Sequence, residues 1–421
     1  MTSSPYSSSS RYGVDSIARD AWIEIDLNSL EFNLQLLKAY IKEQAEKVGL
    51  AVPQIMGIVK ADAYGHGAVA VSQVLAACGV SWLGVASADE GSELREAYCK
   101  LPILILSPTP SWAVKKAVEQ KLDLTISSLS QLQGLIEILK DENSSVSVHL
   151  KVDTGMHRLG MNEVDALKAL EFLKANKKFK LVSVFSHLAK AGDFATTEKQ
   201  KKNFDQFIEI FKNQSYQPDF FHLDSSQAAL CFPPTYYDLV RFGISIYGLE
   251  AQTISAKLLP IMSVKGRINQ IKVIDKSESV GYGLTWKADR QSRLANIPIG
   301  YADGVGRGLS NKMKGLLHNK IINQVGTISM DQMLFDITDI PLAKEGDVIT
   351  IIGSDDYAVS PETKSETDEP TLYLADWAKQ LDTITYELAC RLKVRLPRIY
   401  TRNRWTESLQ NNSFMTSKKG K

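Results

Sequence analysis

The chain has 421 residues, of which 44% are hydrophobic, and this length and apolar content suffice for at least two packed domains. Its 49 Lys and Arg residues are balanced by 48 Asp and Glu residues, which gives a formal net charge of +1. Such a charge provides no overall field that would attract nucleic acid or an anionic membrane, and we expect neither partner. The composition also excludes disorder throughout the chain.

The amino-terminal segment, residues 1–20, is rich in serine and contains no apolar signal core. No window of the sequence approaches the roughly 18 consecutive apolar residues that a membrane helix needs. We therefore predict a cytoplasmic protein in which residues 1–20 form a disordered tail.

The first predicted elements are a strand over residues 22–27 and an amphipathic helix. Asn28 is the predicted N-cap of that helix. The apolar positions of the helix recur at three- and four-residue spacing: Leu30, Leu34, Leu37 and Ile41. They form a single stripe, as expected for a helix that packs against a core.

Short apolar runs then alternate with segments of helical period, which is typical of repeated strand-helix units. The predicted strands are Ile55–Val59, Trp82–Val85, Ile103–Leu106, Leu122–Ile126, Val146–Val152, Leu181–Phe185, Phe220–Leu223 and Leu239–Phe242. Eight units in about 220 residues favour a (β/α)8 barrel over an open doubly wound sheet, which typically has about six strands. We assign the barrel to residues 21–257, and the strand over 22–27 is an extra element that can pack with a second domain.

A change of pattern after about residue 258 marks that second domain. Strand-like segments replace the long amphipathic helices: Met262–Val273, Arg293–Pro298, Ile321–Ile328 and Val348–Ile352. The predicted fold class is thus α/β, an N-terminal TIM-type barrel followed by a mainly β domain over residues 258–401. The acidic, non-periodic segment 354–371 is predicted to be a surface loop, and residues 402–421 a polar tail.

Polar residues follow several predicted barrel strands directly, and barrel enzymes carry their reactive groups at such positions. These residues are Lys60, Lys151 to Arg158, His187, Ser225, Ser226 and Arg241 to Ile244. A desolvated lysine at the position of Lys60 can attack an aldehyde cofactor, although an ordinary strand-end lysine is the commoner case. Residues 225–226 and 241–244 fit a phosphate site, and they fit simple turns with a surface arginine equally.

Eight motifs occur in the order found in the alanine racemases, and the resemblance extends from about residue 20 to residue 400. Val59-Lys-Ala-Asp-Ala-Tyr-Gly-His-Gly67 resembles the pyridoxal-phosphate lysine motif of that family. The other motifs are Lys151-Val-Asp-Thr-Gly-Met-His-Arg-Leu-Gly160, Ser186-His-Leu188, Arg241-Phe-Gly-Ile244, Val280-Gly-Tyr-Gly283, Ile297-Pro-Ile-Gly-Tyr-Ala-Asp-Gly304, Ser329-Met-Asp331 and Thr385-Tyr-Glu387.

The resemblance implies that Lys60 binds the cofactor pyridoxal 5′-phosphate covalently. The positions that match phosphate-binding residues are Tyr64, Ser226, Gly243, Ile244 and Tyr386. Arg241 matches the residue that faces the pyridine nitrogen, and an arginine, with a pKa above about 12, does not give that nitrogen a proton. The cofactor is then a weaker electron sink, which disfavours misplaced protonation and hence transamination.

Racemisation also requires two bases, because a proton leaves one face of the α-carbon and is delivered to the other. By the resemblance, Lys60 serves one face and Tyr282, from the second domain, serves the other. His187 would link Tyr282 to Arg241. Arg158 would contact the cofactor's phenolic oxygen and the substrate carboxylate, a role that suits its bidentate guanidinium.

Four further residues are implied around the substrate. Met330 matches a residue whose backbone N–H binds the substrate carboxylate, and Asp331 lies beside it. Tyr301 matches a tyrosine that narrows the entrance so that a methyl side chain is admitted and larger ones are excluded. Lys151 matches a lysine that is carbamylated in many relatives, and its carbamate would hold Arg158 in place.

Two residues depart from the family pattern, since Ser225 stands where many relatives have asparagine and His157 where many have glycine. The phosphate-facing hydroxyl of Ser226 is retained. The glycine-rich segment 304–308 lacks the spacing of a nucleotide-binding loop. The six histidines occur without a metal-binding spacing, so we predict no metal site.

The predicted function is therefore interconversion of L- and D-alanine, which in bacteria supplies D-alanine for peptidoglycan. The resemblance further implies a head-to-tail C2 homodimer in which Tyr282, Tyr301 and Met330 reach the barrel of the other subunit. The alternatives are a racemase for another small amino acid such as serine, an amino-acid decarboxylase, and a non-catalytic pyridoxal-phosphate carrier. The last two leave Tyr282 without an evident use.

Overall fold

The computed structural model describes residues 19–140, 145–231, 236–249, 258–354, 370–392, 395–403 and 405–410. These residues divide into two compact units, with boundaries after Phe32 and after Leu258. We call residues 33–258 the barrel unit, and residues 19–32 together with 259–410 the β unit. Within the described ranges, every helix is too short or too polar to span a bilayer.

The described chain opens with strand β1 (Ala21–Asp26) and helix α1 (Leu27–Lys47). The carboxylate of Asp26 accepts the backbone N–H of Asn28 at 2.9 Å and the hydroxyl of Ser29 at 2.6 Å. Asn28 instead exchanges two hydrogen bonds with Asn403. The prediction of Asn28 as N-cap is therefore wrong, because Asp26 is the residue that reaches the first turn.

Eight parallel strands form the wall of the barrel unit. They are β2 (Gln54–Ile58), β3 (Trp82–Val85), β4 (Ile103–Pro108), β5 (Asp123–Ile126), β6 (Val146–Lys151), β7 (Phe179–Phe185), β8 (Phe220–His222) and β9 (Leu239–Phe242), hydrogen-bonded in the order β8-β7-β6-β5-β4-β3-β2-β9. Between β8 and β9, the backbone N–H of Asp238 donates to the carbonyl oxygen of Phe221 at 3.1 Å, and the backbone N–H of Arg241 donates to the carbonyl oxygen of Asp224 at 3.0 Å. The barrel therefore nearly closes. The predicted TIM-type barrel is confirmed.

Helices connect these strands. They are α2 (Lys60–Gly65), α3 (Ala68–Ala77), α4 (Ala88–Glu96), α5 (Ser111–Glu119), α6 (Leu129–Ile138), α7 (Glu163–Ala175), α8 (Phe194–Lys212) and α9 (Ser226–Cys231). Four of them begin after a side chain that accepts a backbone N–H three residues further on: Ser87, Ser128, Asn162 and Asp193. These caps fix where each helix leaves its strand-end loop, and thus which residues stand at the carboxyl ends of the strands.

The interior of the barrel combines an apolar cluster with fully buried polar side chains. The apolar cluster consists of Met56, Ile58, Leu104, Val182, Phe220 and Leu239. His149, Ser183 and His222 are all 0% exposed. Polar groups buried to this extent require hydrogen-bond partners, since leaving one unpaired costs about 1–3 kcal/mol.

The described residues of the β unit form a ten-stranded sheet, a small two-stranded sheet and two short α-helices. Its further strands are β10 (Met262–Arg267), β11 (Gln270–Ile274), β12 (Ser279–Val280), β13 (Trp286–Lys287), β14 (Ser292–Ile297), β15 (Lys314–Leu317), β16 (Lys320–Val325), β17 (Met333–Asp336), β18 (Val348–Ile352), β19 (Arg398–Arg402) and β20 (Trp405–Gln410), and its helices are α10 (Leu374–Leu381) and α11 (Thr385–Arg391). The order of the ten-stranded sheet is β11-β14-β17-β16-β15-β18-β10-β1-β19-β20. The mainly β second domain is confirmed.

Two segments near the predicted domain boundaries belong to the β unit. The strand over 22–27, predicted as an extra element that can pack with the second domain, is β1, which is hydrogen-bonded between β10 and β19, and residues 21–32 fall in the β unit. Residues 405–410, predicted within the polar tail, form β20 against β19. Arg19 of the predicted tail forms an ion pair with the buried Asp303. Parts of the predicted tails and most of the predicted loop lie outside the described residues: 1–18, 355–369, 404 and 411–421.

Candidate functional site

Lys60 lies where β2 ends and α2 begins, and the backbone after it is left-handed. The four residues that follow, Ala61 to Tyr64, all have φ between 52° and 55° and ψ between 38° and 50°. This conformation costs an L-residue about 1–2 kcal/mol, so other contacts must hold it in place. We call residues 61–64 the left-handed turn.

Two carboxylates accept backbone N–H groups at this turn. Glu90 accepts from Ala61 at 2.9 Å and from Ala86 at 2.6 Å, which ties the left-handed turn to the loop after β3. Asp62 accepts from Ala68 at 2.7 Å, at the start of the next helix. The backbone that carries Lys60 is therefore fixed from both sides.

Three of the predicted phosphate-binding residues converge at one place. The N–H of Gly243 donates to the hydroxyl of Ser226 at 3.0 Å. A Cβ on Gly243 would lie 2.7 Å from the hydroxyl of Tyr64, which shows how closely the backbone after β9 approaches that side chain. The Tyr64 ring packs against Tyr247, with 5.1 Å between the ring centroids. Ile244, the next residue in the chain, is buried.

Substituting Gly243 with alanine should displace the Tyr64 hydroxyl, because Tyr247 limits how far that ring can move away. We expect about tenfold weaker pyridoxal-phosphate binding, equivalent to about 1.4 kcal/mol, measured by titrating the apoprotein with the cofactor. The matched control is Gly134→Ala in α6, where a Cβ meets no atom within 4 Å. That substitution should leave the affinity unchanged, and equal losses in both variants would contradict the role of Gly243.

A cluster of cations surrounds the end of β6. Lys151 is buried, and its ammonium lies 5.2 Å from the centroid of the Phe185 ring. Burial is the largest cause that lowers the pKa of Lys151 to about 8, followed by the positive charges of Arg241, Arg158 and Lys60. Lys151 therefore gives up its proton far more readily than an ordinary lysine.

Arg241, at the end of β9, is buried and surrounded by acceptors. Its guanidinium donates to the carbonyl oxygens of Ser186 at 2.9 Å and Leu223 at 2.7 Å. It also contacts Nδ1 of His222 at 2.8 Å and Nδ1 of His187 at 3.2 Å. Burial lowers the pKa of Arg241 to about 10, so the group stays protonated at neutral pH.

His187 is neutral in this environment. Burial lowers the pKa of His187 to about 3, and the charge of Arg241 is the next largest cause. Because the guanidinium is always a donor, Nδ1 of His187 accepts and Nε2 carries the hydrogen. The histidine thus presents one N–H donor on the side away from Arg241.

The two departures from the family pattern also have defined places. His157 has φ of 55°, a conformation that favours glycine, and Asp153 holds it by accepting its N–H at 3.1 Å and contacting its ring at 2.9 Å. Arg158 follows it and is exposed. Ser225 is half-buried and forms an isolated bridge with Arg241.

The remaining predicted site residues belong to the β unit. Tyr282, Tyr301 and Met330 are 72%, 42% and 53% exposed, respectively. Their loops are joined by hydrogen bonds, since Tyr301 N–H donates to Ser329 at 3.0 Å and the hydroxyl of Thr327 donates to the carbonyl of Tyr282 at 2.7 Å. Asp331 forms an ion pair with Arg395, and Tyr386 is half-buried on α11.

Sequence reasoning assigned no role to Glu90 or His222. Glu90 occupies the third position of α4, where an acidic residue normally indicates only a helix start. His222 lies four residues before Ser226, and its position inside a short apolar strand was a usable signal.

Comparison with known proteins identifies the family. The model of the alanine racemase N-terminal domain matches residues 25–251, and that of the C-terminal domain matches residues 261–400. The chain belongs to the alanine racemase family, whose members are pyridoxal-phosphate-dependent isomerases.

Individual relatives agree with this assignment. An alanine racemase of Nostoc sp. is 38% identical, over 90% of this chain and 95% of that protein. A solved structure of an alanine racemase of Clostridium difficile 630 is 30% identical, with a TM-score of 0.83, over 94% of this chain and 99% of that one. An alanine racemase of Bacillus anthracis with bound L-Ala-P is 28% identical, with a TM-score of 0.83, over 93% and 98% of the two chains.

The residues of the barrel unit fit pyridoxal 5′-phosphate. Lys60 supplies an amine at a rigid strand end, and the close approach of Gly243 to Tyr64 beside Ser226 forms a cradle that a Cβ would fill. The neighbouring cations, Lys151, Arg158 and Arg241, favour an anionic ligand. Both features match a phosphorylated aldehyde.

Proposed function

We propose that this chain interconverts L- and D-alanine with Lys60 and Tyr282 as its two bases. The observation that carries the proposal is geometric: Gly243 donates to Ser226 at 3.0 Å and closely approaches the Tyr64 hydroxyl, and Arg241 contacts Nδ1 of His187 at 3.2 Å. The cations Lys60, Lys151 and Arg158 add positive charge that lowers the pKa of His187. Such a cationic site suits both a phosphate and an amino-acid carboxylate. When bound, pyridoxal phosphate supplies the electron-accepting ring that stabilises negative charge at the α-carbon.

The chain's own residues then control the proton. We propose that the Lys60 amine holds it on one face of the substrate and the Tyr282 hydroxyl on the other. The Nε2 hydrogen of His187 is suited to a hydrogen bond with a phenolate oxygen of Tyr282, because Arg241 fixes that tautomer. In this proposal the hydrogen bond stabilises the deprotonated oxygen that takes the α-proton.

Arg241 has a positioning and electrostatic role in this proposal. Its permanent charge prevents it from giving a proton to the cofactor's ring nitrogen. Four contacts, to two carbonyl oxygens and two imidazoles, hold the guanidinium in one orientation. Arg158, exposed at the end of its loop, would bind the substrate carboxylate.

We further propose a head-to-tail homodimer in which each β unit completes the other subunit's site. The exposure of three large side chains on joined loops, Tyr282, Tyr301 and Met330, supports this arrangement. Tyr301 would narrow the entrance, and the backbone N–H of Met330 would bind the substrate carboxylate. In a bacterial cell the D-alanine formed would supply peptidoglycan synthesis.

The test is α-proton exchange by holoenzyme in deuterated water, with each enantiomer of alanine and of serine. We expect deuterium incorporation and chiral inversion of alanine, with serine converted at least about tenfold more slowly. Failure to exchange the α-proton of alanine would contradict the proposal and favour a non-catalytic pyridoxal-phosphate carrier. Faster inversion of serine would favour the alternative substrate.

The carbamylation of Lys151 is a separate prediction. A carbamate forms from a neutral amine, and a pKa of about 8 leaves a substantial neutral fraction at neutral pH. At constant dissolved CO2, occupancy should therefore rise from pH 6.5 to pH 8.5, as the amine loses its proton. Carbon-13 NMR with labelled CO2 measures the carbamate carbon. The signal should be absent from Lys151→Arg and retained in Lys100→Arg, and a signal that persists in Lys151→Arg would contradict the assignment.

A further inference from the structure

A column of hydrogen-bonded side chains crosses the core of the barrel and ends at Arg241. Its contacts are Arg241 Nη1 to His222 Nδ1 at 2.8 Å, His222 Nε2 to Ser183 Oγ at 3.0 Å, Ser183 Oγ to His149 Nδ1 at 2.6 Å, and His149 Nε2 to Asp123 Oδ2 at 3.0 Å. These contacts join residues from β5, β6, β7, β8 and β9. We call these five residues the polar column.

The exposure of the side chains differs between the centre of the column and its Asp123 end. The three central residues, His149, Ser183 and His222, are 0% exposed, whereas the side chain of Asp123 is 15% exposed. Ring packing fixes both imidazoles, since His222 stacks on Phe185 with centroids 4.7 Å apart. His149 stands edge-on to Trp82 at 5.3 Å. Neither ring can turn without losing these contacts.

The donors and acceptors of the column all point in one direction. Arg241 can only donate, so Nδ1 of His222 accepts and Nε2 of His222 carries the hydrogen. Ser183 accepts that hydrogen and donates its own to Nδ1 of His149. The Nε2 hydrogen of His149 then donates to the Asp123 carboxylate, which can only accept. With one hydrogen on each imidazole, reversing any one bond would place two donors or two acceptors face to face.

We propose that Asp123, His149 and Ser183 are positioning residues that fix the tautomer of His222 and, through it, the orientation of Arg241. The hydrogen-bond direction stands on geometry alone, and its catalytic consequence rests on the proposed function. The carboxylate of Asp123 is the fixed acceptor at one end, as the guanidinium is the fixed donor at the other. The burial of His222, which lowers its pKa well below the usual value, agrees with a neutral ring. Through the polar column, the carboxylate of Asp123 on β5 thus fixes the orientation of Arg241 on β9, a residue of the proposed cofactor site.

The direct test is nitrogen-15 NMR of the histidine side chains in the full-length apoprotein and in the holoenzyme. The chain has six histidines, so each ring can be assigned by substitution. We expect His149 and His222 to carry their hydrogen on Nε2. Detection of the Nδ1-H tautomer at His222 would overturn the proposal, whatever the enzyme's activity.

Two variants then break the column at different points. Ser183→Ala removes the central link, and Asp123→Asn weakens the terminal acceptor while preserving side-chain shape. Both should shift the nitrogen resonances of His149 and His222. The matched control is Asp219→Asn, because Asp219 is half-exposed and pairs with Lys180 outside the column. Unchanged resonances at His222 in a folded Asp123→Asn or Ser183→Ala protein would contradict the coupling.

Kinetics test the positioning role. We expect kcat for alanine to fall about tenfold in Ser183→Ala and less in Asp123→Asn, with KM changed by less than about twofold. Ser183→Thr, which restores a hydroxyl, should recover part of the loss. An unchanged kcat alongside altered histidine resonances would overturn the positioning role. Absence of racemisation in the unmodified enzyme would instead overturn the proposed function and leave the tautomer result standing.

Discussion

Arginine at position 60 should eliminate covalent cofactor binding and reduce alanine racemisation by about 10⁴-fold or more. The substitution keeps a cation at the end of β2, but a guanidinium stays protonated and does not act as an amine nucleophile at neutral pH. The measurements are the visible absorbance of the holoenzyme, borohydride fixation of the cofactor followed by peptide mapping, and α-proton exchange. In Lys60→Arg, the cofactor absorbance, the fixed label and the α-proton exchange should all be lost.

The control for this experiment is Lys100→Arg, since Lys100 is exposed in the loop before β4 of the barrel unit. It should keep the absorbance, the label at Lys60 and the exchange rate. If Lys60→Arg kept its activity and carried the borohydride-fixed label at another lysine, the assignment of Lys60 as the cofactor-binding residue would be wrong.

Tyr282→Phe should slow proton removal from one enantiomer of alanine by about 10²–10⁴-fold and affect the other far less. The phenolic oxygen is lost while the ring is kept, so loop packing at this exposed position should change little. Wash-out of α-deuterium from each labelled enantiomer in single-turnover experiments measures the two directions separately. The control is Tyr98→Phe, because Tyr98 is 88% exposed on the barrel unit.

Equal loss in both directions would argue against a two-face mechanism. The proposed sharing of sites adds a second check, because inactive Lys60→Arg and Tyr282→Phe proteins should regain activity when mixed and allowed to exchange subunits. A mixed dimer would contain one site with both bases intact. No recovery after demonstrated exchange would contradict the head-to-tail arrangement.

The fold was predictable to the extent that its local patterns were strong. Each barrel strand contains an apolar run bounded by turns, so all eight were found near their observed limits. The strand β1 was recognised as an extra element, but its pairing with β10 and β19 joins residues more than two hundred positions apart. The polar sequence of β20 carries no apolar alternation, so its pairing with β19 could not be anticipated.

The candidate site was predictable where a residue ends a strand and belongs to a motif. Lys60, His187 and Arg241 meet both conditions, and the contact between the last two was expected from the resemblance. The contacts of Glu90 with Ala61 and of Asp123 with His149 depend instead on how separate helices and strands meet in the folded barrel. The spacing of residues in one sequence does not indicate such long-range contacts, so neither contact was predicted.

The left-handed turn after Lys60 has a stereochemical consequence. Its four residues are L-amino acids in the mirror image of the backbone that they prefer, and the mirror-image amino acids would be relaxed there by the same 1–2 kcal/mol or so per residue. Two of the four, Ala61 and Ala63, have the smallest side chain that is still chiral. The proposed product, D-alanine, would adopt the backbone conformation of Ala61 and Ala63 without this penalty.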